Sequence, residues 1–185
     1  MPTDRRKFLV QGGLGLLAFR VAGADVLITP QAARAAGIPY RVLTPDEVSL
    51  LDAFGDALLP GAQVAGLAHY IDQQLAAPPP DSLLMIRYLD VPPPYADFYR
   101  PALAAVSAAA RAAFGRRFED LAADQREQFI ASLQKSDPAD WHGPPAPFVY
   151  FVLRSDAVDV VYGTPEGFEK LGIPYMPHIP PATPW

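Results

Sequence analysis

Proline, more than any other residue, limits what this chain can fold into. Twenty-two of its 185 residues are proline, several of them in runs such as Pro78-Pro79-Pro80 and Pro92-Pro93-Pro94. A proline ring fixes φ, removes a backbone donor and clashes with the preceding helical turn, so each run ends a helix or forces an extended stretch. The segments between the runs repeat with a helical period. The expected fold is therefore mainly α: a single small helical domain with proline-rich loops and an extended C-terminal tail.

The first strong helix signal is Thr44-Pro45-Asp46-Glu47, a capping threonine, proline at the first helical position and glutamate at the third. Val48, Leu51, Phe54 and Leu58 follow at spacings of three and four until Pro60-Gly61. A second helix is expected from Val64 to Ala77 with Leu67, Ile71 and Leu75 inward, and a short third one from Asp81 to about Asp90. The alanine-rich stretch Ala96–Phe114 predicts a long helix with a seam of Leu103, Val106, Ala110 and Phe114, closed by Gly115. Phe118 and Leu121 pack inward ahead of a helix from Ala123 to Gln134, carried by Phe129, Ile130 and Leu133. Phe148–Val161 is rich in valine, which favours strand. Arg154, Ser155 and Asp156 in its middle point instead to the exposed face of a helix, and helix is the reading adopted.

Residues 162–185 differ in kind, with six prolines and three glycines in 24 residues. A turn into a short helix over Glu166–Leu171, closed by Gly172, is expected there. Proline-rich chain loses little entropy on ordering, and with aromatic residues interleaved this tail suits lying on a surface. That surface is either its own domain or a partner, and Tyr162, Phe168, Tyr175, His178 and Trp185 are the candidate contact residues.

At the other end, Arg5-Arg6-Lys7 precedes Phe8-Leu9 and a moderately apolar stretch to Ala22. A paired arginine, a spacer and Phe-Leu opening an apolar region is the pattern of a twin-arginine export signal, in which Arg5, Arg6, Phe8 and Leu9 carry the address. That route carries proteins already folded, often with a cofactor or partner attached. Ala33-Arg34-Ala35 is an A-x-A-like processing site, which puts a leader at 1–35, the helical domain at 36–161 and the tail at 162–185. Arg20 and Asp25 interrupt the apolar segment before the roughly 20 residues a membrane span needs. An uncleaved leader acting as a tether is the variant of this reading.

Composition narrows the function. There is no cysteine, hence no disulfide, thiolate metal site or iron–sulfur ligation. Residues 36–185 hold 10 Lys+Arg against 18 Asp+Glu, a formal charge of −8, which argues against nucleic acid or anionic lipid as partner. His69, His142 and His178 lack the spacing of a zinc pair. Asp156 and Asp159 share a helical turn and could act as an acid/base pair, but charges on an exposed helix face are the commoner reason for such spacing. No catalytic, cofactor-binding or metal-ligating set is assigned to the chain.

Three stretches together resemble a known family, gluconate 2-dehydrogenase subunit 3. They are Arg5-Arg6-Lys7-Phe8-Leu9; Pro45 through Leu58-Leu59-Pro60-Gly61 to Tyr70-Ile71-Asp72; and Tyr162-Gly163-Thr164-Pro165-Glu166-Gly167-Phe168 with Leu171-Gly172-Ile173-Pro174 and His178-Ile179-Pro180-Pro181. The run from Asp159 to Pro165 is shorter than the usual family ending, so partner and substrate can differ from gluconate. The resemblance implies a non-catalytic small subunit of a periplasmic dehydrogenase complex. In such complexes a flavoprotein of the glucose–methanol–choline (GMC) type holds FAD and oxidises a sugar or sugar acid, and a cytochrome c subunit carries haem. The small subunit is expected to meet the twin-arginine translocase and to act as export escort and maturation factor for the flavoprotein. The alternative is an independent periplasmic binder or enzyme with a pocket under the tail formed by Tyr175, His178 and Trp185.

Overall fold

The structure is a computed structural model, and it describes residues 16–21 and 24–174. Helix α2 (Pro45–Leu58) begins where its capping signal lies: Thr44 Oγ1 accepts from Glu47 N at 3.3 Å, and Thr44 N donates to Glu47 Oε2 at 2.7 Å. This reciprocal box satisfies two otherwise orphaned amides. Leu50, Leu51 and Phe54 face the core.

The helix expected over Val64–Ala77 is broken into α3 (Ala62–Ala65) and α4 (Leu67–Ala76). The break is Gly66, whose φ of +86° lies in the left-handed region. A Cβ there would stand 2.3 Å from the carbonyl oxygen of Pro30, so only glycine allows this approach. Leu67 and Ile71 are buried as expected and Leu75 is half-buried. The short third helix is instead two 3-10 turns, Pro79–Asp81 and Met85–Tyr88. The backbone at Leu83 and Met85 is held by side chains of other helices, described below.

Helix α5 (Ala96–Phe114) continues through Pro101 and ends at Gly115, φ +68°. Leu103, Val106 and Ala110 of the expected seam are buried, along with Ala102, Ala105 and Ala109. Phe118, in the 3-10 turn Phe118–Asp120, meets Phe54 at 5.2 Å and Phe129 at 5.6 Å between ring centroids. Phe129 belongs to α6 (Ala123–Leu133), whose inward residues are Phe129, Ile130 and Leu133. Helix α7 (Ala146–Tyr162) resolves the strand-or-helix choice and buries Val149, Val152, Leu153, Ala157 and Val160. Helix α8 (Pro165–Lys170) is capped by Thr164 Oγ1, which accepts from Gly167 N at 3.0 Å.

Asp156 departs from its expected place on an exposed face: it is fully buried, accepting from Tyr99 Oη at 2.5 Å and from Met85 N at 2.9 Å. Burial pushes its carboxyl up to about 7, against those two donors, which favour the charged form.

Before α2 the chain forms an antiparallel pair, β1 (Leu17–Val21) and β2 (Ala24–Ile28), in the register Leu17↔Ile28 to Val21↔Ala24. Helix α1 (Pro30–Ala35) follows, packing on α3 and α4 with Pro30 and Ala33 buried. The leader boundary read at residue 35 thus falls at the end of a packed helix. Among the described residues no helix is long and apolar enough to cross a membrane.

Candidate partner-binding site

Polar side chains pin the loop 82–88 to two helices and leave Leu83 and Tyr88 outside. Tyr70 Oη on α4 donates to Leu83 O at 3.0 Å, and Leu83 N donates to Gln74 Oε1 at 2.6 Å. Met85 N is held by Asp156 on α7. Ser82, Leu84 and Ile86 are buried by this arrangement, whereas Leu83 is 44% and Tyr88 62% exposed. Burial raises the Tyr70 phenol well above its usual range, so it stays a neutral donor to Leu83 O.

Leu83 and Tyr88 form one wall of a groove of about 320 Å³. Leu17 of β1 and Pro30 of α1 line another side, and Val160, Gly163 and Thr164 close the end where α7 turns into α8. Asp159 is the charged residue in the lining. Exposed apolar side chains gathered at a groove mark a contact surface more often than singly scattered ones do. A second depression, about 510 Å³ among Arg111, Gly115, Arg116, Arg117 and Asp120, is open and lined by charged residues, and Arg117 already pairs with Glu119 and Asp46.

Of the residues picked from sequence, Tyr162 lies at the end of α7, directly before Gly163 of the groove, and is half-buried. Phe168 is half-buried in α8. Arg5, Arg6, Phe8, Leu9, Tyr175, His178 and Trp185 lie outside the described residues. Sequence reading passed over Leu83, Tyr88 and Tyr70. The one signal there was the run Leu83-Leu84-Met85-Ile86, too short to show which members face outward.

His69 has a structural setting. Its Nε2 lies 3.1 Å from Ile38 O, an acceptor, so Nε2 carries the proton and Nδ1 accepts from Tyr40 Oη at 3.0 Å. Burial lowers its pKa and pushes the Tyr40 phenol up to about 12, keeping both neutral. Among the described residues no group of three or more His, Asp or Glu side chains could hold a metal ion.

The family described as gluconate 2-dehydrogenase subunit 3 matches residues 45–180, from the first residue of α2 into the tail. The chain belongs to this family. No curated protein and no solved structure matches it. As a gluconate 2-dehydrogenase subunit 3 protein it is of a kind that forms part of a dehydrogenase complex, which agrees with an accessory role. All the groove residues except Leu17 and Pro30 fall inside the matched region.

Proposed function

We propose that this chain is the non-catalytic small subunit of a periplasmic, FAD-dependent sugar or sugar-acid dehydrogenase, serving as export escort and stability factor for a GMC-type flavoprotein. The family match over residues 45–180 carries the reading. The Arg5-Arg6-Lys7-Phe8-Leu9 start supplies its export half, and the exposed Leu83 and Tyr88 give the partner an apolar seat. FAD belongs to the flavoprotein and haem c to a further cytochrome subunit, while this chain supplies the address and the docking face. The twin-arginine translocase is its transient partner.

Export by escort has a direct test. With Arg5→Lys and Arg6→Lys together, cell fractionation should find both this chain and its flavoprotein in the cytoplasm. Flavoprotein still reaching the periplasm would rule the escort role out. The groove has its own test. Leu83→Glu places a charge on a wall that a partner would cover, and burial of a leucine-sized side chain contributes about 1.5–3 kcal/mol. Affinity for the flavoprotein should fall tenfold or more, since about 1.4 kcal/mol corresponds to a factor of ten. Unchanged affinity would move the interface elsewhere.

A further inference from the structure

The twin-arginine route carries folded chains, so any processing of this one must act on the structure described above. We infer that residues 29–43 are a permanent strap of the folded protein, and that any removal of the leader occurs N-terminal to Thr29 rather than at Ala33-Arg34-Ala35. The inference concerns what happens to the leader, and in that respect rests on the export reading. The strap itself rests on geometry alone.

A processing peptidase needs its target extended and accessible, as loops and termini are. Residues 33–35 are helical rather than extended, and of the three only Ala35 is exposed. They lie inside α1, whose start is capped by Thr29 Oγ1 accepting from Ala32 N at 3.1 Å. Ala33 is fully buried, and its carbonyl accepts from Ile38 N at 3.0 Å. Ala36 N and Gly37 N donate back to Ala32 O and Arg34 O, so the chain past the A-x-A run is tied down as well.

The segment beyond α1 is held more firmly still. Asp72 on α4 accepts three consecutive backbone amides: Arg41 N at 2.9 Å on Oδ2, and Val42 N and Leu43 N at 2.8 Å each on Oδ1. The carbonyl of Val42 accepts from the Arg100 guanidinium at 2.8 Å, and Tyr40 donates to His69. A cut after Ala35 would also remove Arg34, whose guanidinium lies 3.5 Å from Asp52 Oδ2. It would empty the position where the Pro30 carbonyl meets Gly66. Asp52 Oδ1, already buried without a hydrogen-bond partner, would then lose the cation beside it.

Limited trypsin digestion of the full chain, read by mass, tests the strap independently of export. Resistant core from the wild type should begin N-terminal to Ala35, at trypsin levels that cut the Asp72→Ala variant after Arg34 and Arg41. Wild-type core beginning at Ala35 or Val42 would overturn the strap. The intact mass of chain recovered from the periplasm through a C-terminal tag tests the processing claim. A start at or before Thr29 is expected, and a start at Ala36 would overturn it. Absence of the chain from the periplasm would overturn the export reading instead and leave the trypsin result to decide the strap.

Discussion

Residues 41–43 are tied to α4 by the Asp72 carboxylate, whereas around Phe118 the core closes by rings. There Phe118 fits between Phe54 of α2 and Phe129 of α6, and Phe98 of α5 meets Phe148 of α7 at 5.5 Å. The aromatic end is stabilised by area removed from water and by close packing, neither of which depends on one atom. The last three residues of the strap, 41–43, give their amides to a single side chain through directional bonds to a carboxylate. One region fails gradually when a contact is trimmed; the other unlatches.

The largest expected effect tests the aromatic end. Phe118→Ala should cost about 4 kcal/mol, the middle of the range for deleting a buried phenylalanine. The whole domain should lose stability together, seen as one cooperative thermal transition at a lower midpoint. Asp72→Ala comes next, at about 3 kcal/mol, because three amides lose their shared acceptor and Leu43 N is buried. Its mark is local: hydrogen exchange at residues 41–43 should speed up well before the rest of the core is affected. If exchange rose uniformly instead, strap and core would be one unit and the contrast would collapse.

Asp156 sharpens the comparison, since it is a carboxyl inside the apolar part. Its folded pKa, about 7, is raised above the ordinary carboxylate value by burial, so the folded state keeps a proton that the unfolded chain has already released. The stability this gives is fully present below the unfolded pKa and is lost as pH rises through about 7. The thermal midpoint should therefore fall as pH rises from about 4 to about 7 in the wild type. Asp156→Asn keeps an acceptor for Met85 N but has no proton to lose, and should flatten that fall. Equal slopes in both proteins would mean that Asp156 does not titrate there. The smallest effect is Arg34→Ala: its pairing with Asp52 is long, at 3.5 Å, and part-exposed, and should contribute under about 1 kcal/mol.

The same division decides what the sequence reveals. Helix α2 was legible because its cap, its first-turn proline and its apolar spacing all act within a few residues, and α5, α6 and α7 were legible by period. Asp72 reaches amides 29 to 31 positions away, and nothing local in Arg41-Val42-Leu43 announces an acceptor. The hairpin and α1 were hidden for a related reason: an export leader and a packed edge segment draw on the same small and apolar residues. Asp156 was misplaced because a charged side chain in a helical repeat reads as outward-facing, and the donors that permit its burial, Tyr99 Oη and Met85 N, come from elsewhere in the chain. The groove stayed out of view because its walls come from five separate elements, and an apolar run of four residues does not say which side chains the loop turns outward.

The central claim is that this chain works as part of a complex with a flavoprotein. The measurement is co-expression of the two, followed by purification through a tag on this chain alone. The account predicts a yellow, stoichiometric complex that oxidises a sugar or sugar acid and that Leu83→Glu weakens. A colourless, well-folded monomer, with the flavoprotein left behind, would contradict it.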